Sequence, residues 1–205
     1  MSVGVAPAGP FEQPVSFEFT AENKALAETI IARYPAGRQQ SAIVPLLDIA
    51  QRQVGGWLPR AAIEYLAKLL DMAIIRAYEV VTFYTMFNLA PVGKHLVQVC
   101  TTTPCWLRGS DDVLAACKKR LGIEVGHTTP DGQFSLMEVE CLGACVNAPM
   151  VQINDSFYED LDADSTTALL DALARGETPK IGPQIDRQTS CPVGGPTTLT
   201  DVAGE

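Results

Sequence analysis

The stretch from Pro91 to Cys100, PVGKHLVQVC, decides the fold because the hydrophobic pattern changes there from helical to extended. Upstream, apolar residues recur three and four positions apart, which predicts helices. Downstream of Gly93, the β-branched run from His95 to Cys100 predicts a strand. We therefore expect a domain boundary near residue 90, between a helical bundle over residues 17–90 and a second domain over residues 91–176.

Four helices are expected in the bundle. Thr20 can cap the first, in which Leu26, Ile30 and Tyr34 would share one face. The other three are expected from about Ser41 to Gln53, from Pro59 to about Leu70, and from about Arg76 to Phe87. Four aromatic side chains of the last helix are expected in the core: Tyr78, Phe83, Tyr84 and Phe87.

The sequence pattern of the second domain predicts the order strand, helix, strand, strand, helix. Ser110 is expected to cap its first helix, which ends at Gly122. Asp131-Gly132 is typical of a hairpin turn. The later elements are expected at about Phe134 to Glu140, Met150 to Asn154 and Asp164 to Ala174. This order favours a small α/β sandwich of the thioredoxin-like kind, and the whole chain is expected to be α+β.

The two ends and the overall charge bound the chain's environment. Residues 1–16 are expected to form a mobile arm, and the Pro- and Gly-rich residues 177–205 an extended tail docking on a partner. With 15 basic and 24 acidic residues the formal charge is −9, which disfavours nucleic acid as a partner. No apolar run is long enough to span a membrane, and the first residues resemble no leader, so we expect a bacterial cytoplasmic protein or a processed one.

Four of the six cysteines form two close pairs, each following a predicted strand. Four residues separate Cys100 from Cys105, in a loop of threonines and proline, and three separate Cys141 from Cys145. Two such loops side by side can present the four thiolates of a [2Fe–2S] cluster. A zinc site stays open as the alternative, although zinc pairs usually include a two-residue gap.

Other arrangements of the remaining candidates fit the spacing less well. The C-x-x-C pair of a thioredoxin-type redox enzyme is absent, and the plant-type ferredoxin spacing is absent too. His95 and His127 do not sit at pair spacing from any cysteine, which disfavours a Rieske centre. Cys117, within a predicted helix, and Cys191, alone in the tail, are expected not to be ligands.

Three segments together resemble the thioredoxin-like [2Fe–2S] ferredoxin subunit of NADH:quinone oxidoreductase, respiratory complex I. They are Tyr78–Phe87 (YEVVTFYTMF), Cys100–Ser110 (CTTTPCWLRGS) and Glu138–Pro149 (EVECLGACVNAP). The tail segments Gly182–Gln184 and Gly194–Leu199 extend the resemblance. It implies one [2Fe–2S] cluster on Cys100, Cys105, Cys141 and Cys145.

The resemblance also implies a place in an assembly. The cluster would exchange single electrons with the FMN of a partner flavoprotein subunit that also binds NADH, beside the iron–sulfur subunits of the peripheral arm. The complex would lie on the cytoplasmic side of the bacterial inner membrane, with no direct membrane insertion by this chain. It would be a proton-translocating oxidoreductase, and the isolated chain would have no catalytic activity.

Two further expectations concern the rival assembly and the cluster's potential. A diaphorase-type subunit of an NAD-linked formate dehydrogenase or an NAD-reducing hydrogenase is the closest alternative, and a non-redox zinc-binding adaptor is a more distant one. Glu138 and Glu140 add negative charge near the cysteines, which predicts a low reduction potential, on the order of −400 mV. The alternative that both are solvated strand residues stays open.

Overall fold

The computed structural model describes residues 4–195 and 197–198, which fall into two compact units. One unit holds the residues up to 94 together with 130–132, and the other holds 95–129 and the residues from 133 onward. The parts of the predicted arm and tail at residues 1–3, 196 and 199–205 lie outside the described residues.

The described residues of the first unit form four α-helices around an apolar core. The Thr20 hydroxyl caps the first helix by accepting a hydrogen bond from the Asn23 N–H at 3.2 Å, as predicted. Gly55, left-handed at φ 89°, ends the second. Fully buried leucine and isoleucine side chains fill the core, among them Leu46, Leu47 and Ile63. The helices are α1 (Ala21–Ile31), α2 (Ile43–Val54, after a 3₁₀ turn at Gln39–Ala42), α3 (Arg60–Leu69) and α4 (Ile74–Phe83).

Helix α1 differs from the prediction in its length and its buried face. It ends at Ile31, so Tyr34 lies beyond it. Ala27 and Ile30 are the buried positions, while Leu26 is exposed. Ile30 is buried as predicted and Tyr34 packs partly buried against the core, so the error is at Leu26, in whose place the small Ala27 is buried.

The last helix of this unit is also shorter at its end than predicted. Helix α4 stops at Phe83 because Tyr84 takes an extended backbone, with ψ 114°. Phe83 is consequently 76% exposed and contacts Tyr84, also exposed, edge-to-face at 5.1 Å. The prediction that these two rings are core residues was wrong, whereas Phe87 is buried and Tyr78 packs against the core.

In the part of the second unit that the structure describes, six strands form a mixed sheet in the order β2-β3-β1-β4-β5-β6. Strand β1 runs parallel to β3 and antiparallel to β4. The strands are β1 (His95–Cys100), β2 (His127–Thr128), β3 (Phe134–Val139), β4 (Met150–Ile153), β5 (Ser156–Glu159) and β6 (Gly182–Pro183). The helices are α5 (Thr103–Leu107), α6 (Ser110–Leu121) and α7 (Ala163–Ala174).

The core of this unit joins its sheet and two of its helices. Val97 and Leu136 of the sheet pack in one buried cluster with Val113 of α6 and Leu170 of α7. The predicted α+β class is thereby confirmed, with a helical unit and a unit of mixed sheet and helices.

Several local features of the second unit were not predicted or were predicted wrongly. Ser110 is the first residue of α6 and is fully buried, while Gly109, at φ 99°, occupies the cap position. Gly122 does end this helix in the left-handed conformation, as predicted. Short elements escaped the sequence pattern altogether: β2, α5, β5 and β6 have between two and five residues, too few to establish a period.

Candidate metal centre

The parallel pairing of β1 and β3 brings the two cysteine pairs to one edge of the sheet. Cys100 is the last residue of β1, and its register partner is Val139, the last residue of β3. Cys141 follows Val139 by two residues. Parallel strands end on the same edge, so two segments remote in sequence deliver their cysteines to one place.

The first pair is buried. Cys100 and Cys105 are each 1% exposed, and Cys105 lies within helix α5 rather than in the open loop that the sequence predicted. Burial, together with the neighbouring Cys100 sulfur, raises the pKa of Cys105 to about 12. Burial opposes ionisation of Cys100 as well, but hydrogen bonds from Thr102, whose Oγ1 lies 3.2 Å from the sulfur, lower its pKa overall.

The second pair is open to solvent. Cys141 is exposed and Cys145 half-buried, and their sulfurs lie 3.3 Å apart without a covalent bond. The intervening loop turns at Gly143, whose φ of 88° is a conformation that favours glycine. Hydrogen bonds from the Cys145 thiol and the Gly143 N–H lower the pKa of Cys141, and the same thiol contact raises the pKa of Cys145.

Contacts between the loops bring the two pairs together. The Leu142 backbone adds to the lowering of the pKa of Cys100, and the Thr102 side chain adds to the lowering of the pKa of Cys141. Leu142 and Ala144 also pack on the buried cluster that contains Cys100 and Cys105. Across the described residues, no three Cys, His, Asp or Glu side chains are gathered closely enough to surround one metal ion. The four thiols therefore stand as two adjoining pairs.

The donor set is chemically uniform. Thiolates select iron–sulfur clusters, zinc or copper(I), and two thiolates per iron complete a [2Fe–2S] cluster. Backbone N–H groups directed at the sulfurs, such as those of Leu142 and Gly143, are the hydrogen bonds that tune such a cluster. The residues present therefore fit a [2Fe–2S] cluster.

The other candidate residues lie in different surroundings. Cys117 is fully buried in the core beside α7, where burial raises its pKa to about 12, and Cys191 is exposed. His95 stacks on Phe134 with ring centroids 5.1 Å apart, and the exposed His127 contacts the Val125 carbonyl.

The two acidic residues near the site occupy different positions. Glu138 accepts a hydrogen bond from the hydroxyl of Thr101, the residue after Cys100, at 2.7 Å. Glu140 is exposed, one residue past the end of β3 and directly before Cys141. Glu138 therefore contacts the residue that follows Cys100, and Glu140 directly precedes Cys141.

Sequence reasoning missed two groups of residues around the cysteines. Trp106, Leu107 and Val146 each lie within two residues of a candidate ligand and are exposed, Leu107 by 71% and Val146 by 70%. The sequence does show these bulky apolar residues close to the candidate ligands, and that proximity could have indicated an exposed apolar surface at the site. Asn147, two residues after Cys145, is almost fully buried and was not singled out because no pattern marks a buried amide.

Comparison with known proteins bears on both the fold and the site. The model of the thioredoxin-like [2Fe–2S] ferredoxin family matches residues 27–174. A subunit of the NADH-quinone oxidoreductase of Rickettsia bellii (strain RML369-C) is 62% identical over 158 residues, covering 77% of this chain and 95% of the relative. NADH dehydrogenase [ubiquinone] flavoprotein 2, mitochondrial, of Dictyostelium discoideum is 54% identical over 185 residues, covering 90% of this chain and 75% of the relative.

A solved structure shares the fold at lower identity. A chain of an NAD⁺-reducing [NiFe]-hydrogenase in the H₂-reduced state superposes with a TM-score of 0.56 and 20% identity, over 65% of this chain and 22% of that one. At this identity the likeness concerns the fold alone.

Proposed function

We propose a function that proceeds from one premise: the chain belongs to the thioredoxin-like [2Fe–2S] ferredoxin family. The resemblance, the thioredoxin-like domain and the single [2Fe–2S] cluster expected from the sequence are thereby confirmed. The chain is an electron-transfer subunit of an NADH:quinone oxidoreductase, the complex for which its 62% identical relative is named.

The observation that carries the assignment is the pairing of the four thiols at the ends of β1 and β3. Cys100 and Cys105 would hold one iron, and Cys141 and Cys145 the other. When bound, a [2Fe–2S] cluster stores and releases one electron at a time. The contact between Cys141 and Cys145 at 3.3 Å supports their serving the same iron.

The protein treats the two halves of the site differently. The buried pair, Cys100 and Cys105, excludes water from one side, and hydrogen bonds from Thr102 and Leu142 offset thiolate charge there. The exposed Cys141 leaves the other side accessible. Electrons would therefore enter and leave on the Cys141 side.

A flavoprotein subunit that binds FMN and NADH is the proposed partner. The chain itself has no G-x-G-x-x-G loop with which to bind a dinucleotide. Trp106, Leu107 and Val146 present apolar surface on both cysteine segments, which is typical of a protein interface. Docking there would place the exposed side of the cluster against the flavin-bearing chain, with the iron–sulfur subunits of the peripheral arm further along.

The complex is membrane-associated, and this chain is a peripheral subunit of it. Within the described residues, no helix has the length and apolar character needed to cross a bilayer. We place the subunit on the cytoplasmic side of the bacterial inner membrane.

A diaphorase subunit of an NAD-reducing hydrogenase is the second candidate. A chain of such a hydrogenase shares the fold, but at 20% identity the likeness does not extend to function. The relatives named for NADH oxidation by quinones match at 54% and 62% identity, and we prefer that function.

Purification of the assembled enzyme with variants of the apolar surface tests the partner assignment. Leu107→Asp and Val146→Asp should reduce the amount of flavoprotein that co-purifies with the chain, because each would place a charge in the interface. Val15→Asp is the matched control, since Val15 is fully exposed in the first unit. Equal recovery of flavoprotein with all three variants would contradict the proposed interface.

A further inference from the structure

Residues 182–191, here called the strap, fold back on the second unit. Strand β6 lies parallel to β5, with Gly182 opposite Tyr158 and Pro183 opposite Glu159. The Gln184 N–H then donates to the Glu159 carbonyl at 2.9 Å. The first part of the predicted tail is thus bonded to its own domain, while its docking on a partner stays a prediction.

A buried ion pair fixes the middle of the strap. Arg187 Nη1 donates to both carboxylate oxygens of Asp160, at 3.0 and 3.3 Å, and the two side chains are only 7% and 6% exposed. Arg187 Nε donates to the Cys191 carbonyl at 2.9 Å, which closes the strap on itself. Because a lone buried charge is strongly unfavourable, this pair defines one position for the strap.

Asn147 connects the strap to the exposed cysteine loop. Its side-chain amide donates to the Thr189 carbonyl of the strap at 3.1 Å and to the Glu159 carboxylate. The backbone carbonyl of Asn147 accepts from the Asp160 N–H at 2.8 Å, and the backbone N–H of Asn147 donates to the Ala144 carbonyl at 3.0 Å. One buried residue therefore bonds the strap, the residue that pairs with Arg187 and the loop between Cys141 and Cys145.

The backbone around this network is itself constrained. Asp160 and Thr189 have φ values of 53° and 47°, in the left-handed region that residues other than glycine seldom occupy. Such conformations persist where the surroundings over-determine them. The bonds to Arg187 and Asn147 are those surroundings.

The two halves of the metal site depend on this network to different degrees. Cys100 and Cys105 are held by β1, α5 and the core, whereas residues 140–144 have no regular secondary structure and carry an exposed ligand. We propose that the strap fixes the Cys141–Cys145 loop through Asn147, with Asn147 and Arg187 as positioning residues for that half of the cluster. The presence of a cluster rests on the proposed function, whereas the effect of the strap on the loop does not.

Three variants and one control test this role. Arg187→Ala and Asn147→Ala remove the two links, and Arg187→Lys keeps the charge opposite Asp160 but lacks the second donor that bonds Cys191. Arg175→Ala is the control, because Arg175 forms an exposed pair with Glu177 in the same unit. In the metal-free chain, hydrogen exchange of the amides of residues 141–148 should accelerate in the variants and not in the control.

The cluster-loaded chain provides the second readout. Iron release to a chelator should be about 10- to 100-fold faster in Arg187→Ala and Asn147→Ala, because loss of a residue that orients ligands typically lowers metal affinity by about that factor. The electron paramagnetic resonance spectrum of the reduced cluster should change its g values, which a merely structural residue would leave alone. The rate of iron release from Arg187→Lys should lie between those of wild type and Arg187→Ala. If Arg187→Ala does not fold, Arg187→Lys tests the positioning role of Arg187.

The possible results distinguish a failure of the strap's positioning role from a failure of the cluster assignment. Wild-type exchange, iron release and g values in every folded variant would overturn the positioning role. A wild-type chain that takes up no iron and sulfide would overturn the proposed function, while amide exchange in the metal-free chain would still decide whether the strap holds the loop.

Discussion

The reactivity of the six cysteines toward iodoacetamide should divide them into three classes. The perturbation is removal of the metal at pH 8, and the measure is the labelling rate of each cysteine by mass spectrometry. In the metal-loaded chain only the exposed Cys191 should label rapidly, because the four ligands are coordinated. In the metal-free chain Cys141 and Cys145 should join it, since neither is deeply buried.

The magnitude for the buried non-ligand follows from its pKa. Burial raises the pKa of Cys117 to about 12. At pH 8 its thiolate fraction is then about 10⁻⁴, against about 0.2 for a thiol with the ordinary pKa of about 8.5. Because the thiolate is the nucleophile, the raised pKa alone should make Cys117 react about 10³-fold more slowly than an ordinary thiol. Restricted access of the reagent to the core should slow it further.

Two results would refute this reasoning. Cys117 labelling in the folded chain at the rate of Cys191 would show that burial does not protect it. Cys141 labelling equally fast with and without metal would show that Cys141 is not a ligand. Labelling in denaturant is the control, since all six cysteines should then react.

Three other predictions concern separate parts of the chain. Asp162→Ala should reduce stability by about 1 kcal/mol in urea unfolding at pH 7, because Asp162 caps α7 by accepting from the Ser165 N–H at 2.7 Å. Ser165 lowers the pKa of Asp162, so the cap contributes fully above the unfolded-state pKa of about 3.9 and is lost as pH falls through the lower folded value; an equal difference between wild type and variant at pH 2 and pH 7 would contradict it. Glu138→Gln should raise the cluster potential in a redox titration, because it removes a negative charge bonded to Thr101 beside Cys100. A unit charge about 8 Å away in water changes a one-electron potential by about 20 mV, and an unchanged potential would argue against electrostatic tuning. Leu47→Ala should lower the free energy of unfolding by about 2 to 5 kcal/mol, because Leu47 is fully buried, and a loss below about 1 kcal/mol would contradict its place in the core.

The helices and strands with a clear sequence period were largely predictable. The run from His95 to Cys100 forms β1 with the predicted bounds, because β-branched residues and burial agree there. Thr20 and Gly122 act as predicted because caps depend on local backbone chemistry. Tyr84 was not predictable in this way, since its extended conformation ends α4 within a run that still has helical spacing.

For the candidate site, spacing predicted which cysteines form pairs but not how each pair is held. Helix α5 contains too few residues to show a period, so Cys105 was expected in a loop. The ion pair of Asp160 and Arg187 joins residues 27 positions apart, and only the tertiary fold brings them together. Asn147 has the same origin, because its partners come from β5 and the strap.

The central claim is that four cysteines of this chain hold one [2Fe–2S] cluster. The most direct test is to purify the chain anaerobically, quantify its iron and sulfide, and record its electron paramagnetic resonance spectrum after reduction with dithionite. About two irons and two sulfides per chain, with the signal of a reduced [2Fe–2S] cluster that Cys141→Ser abolishes and Cys191→Ser keeps, are predicted. One zinc per chain with no such signal would contradict the claim.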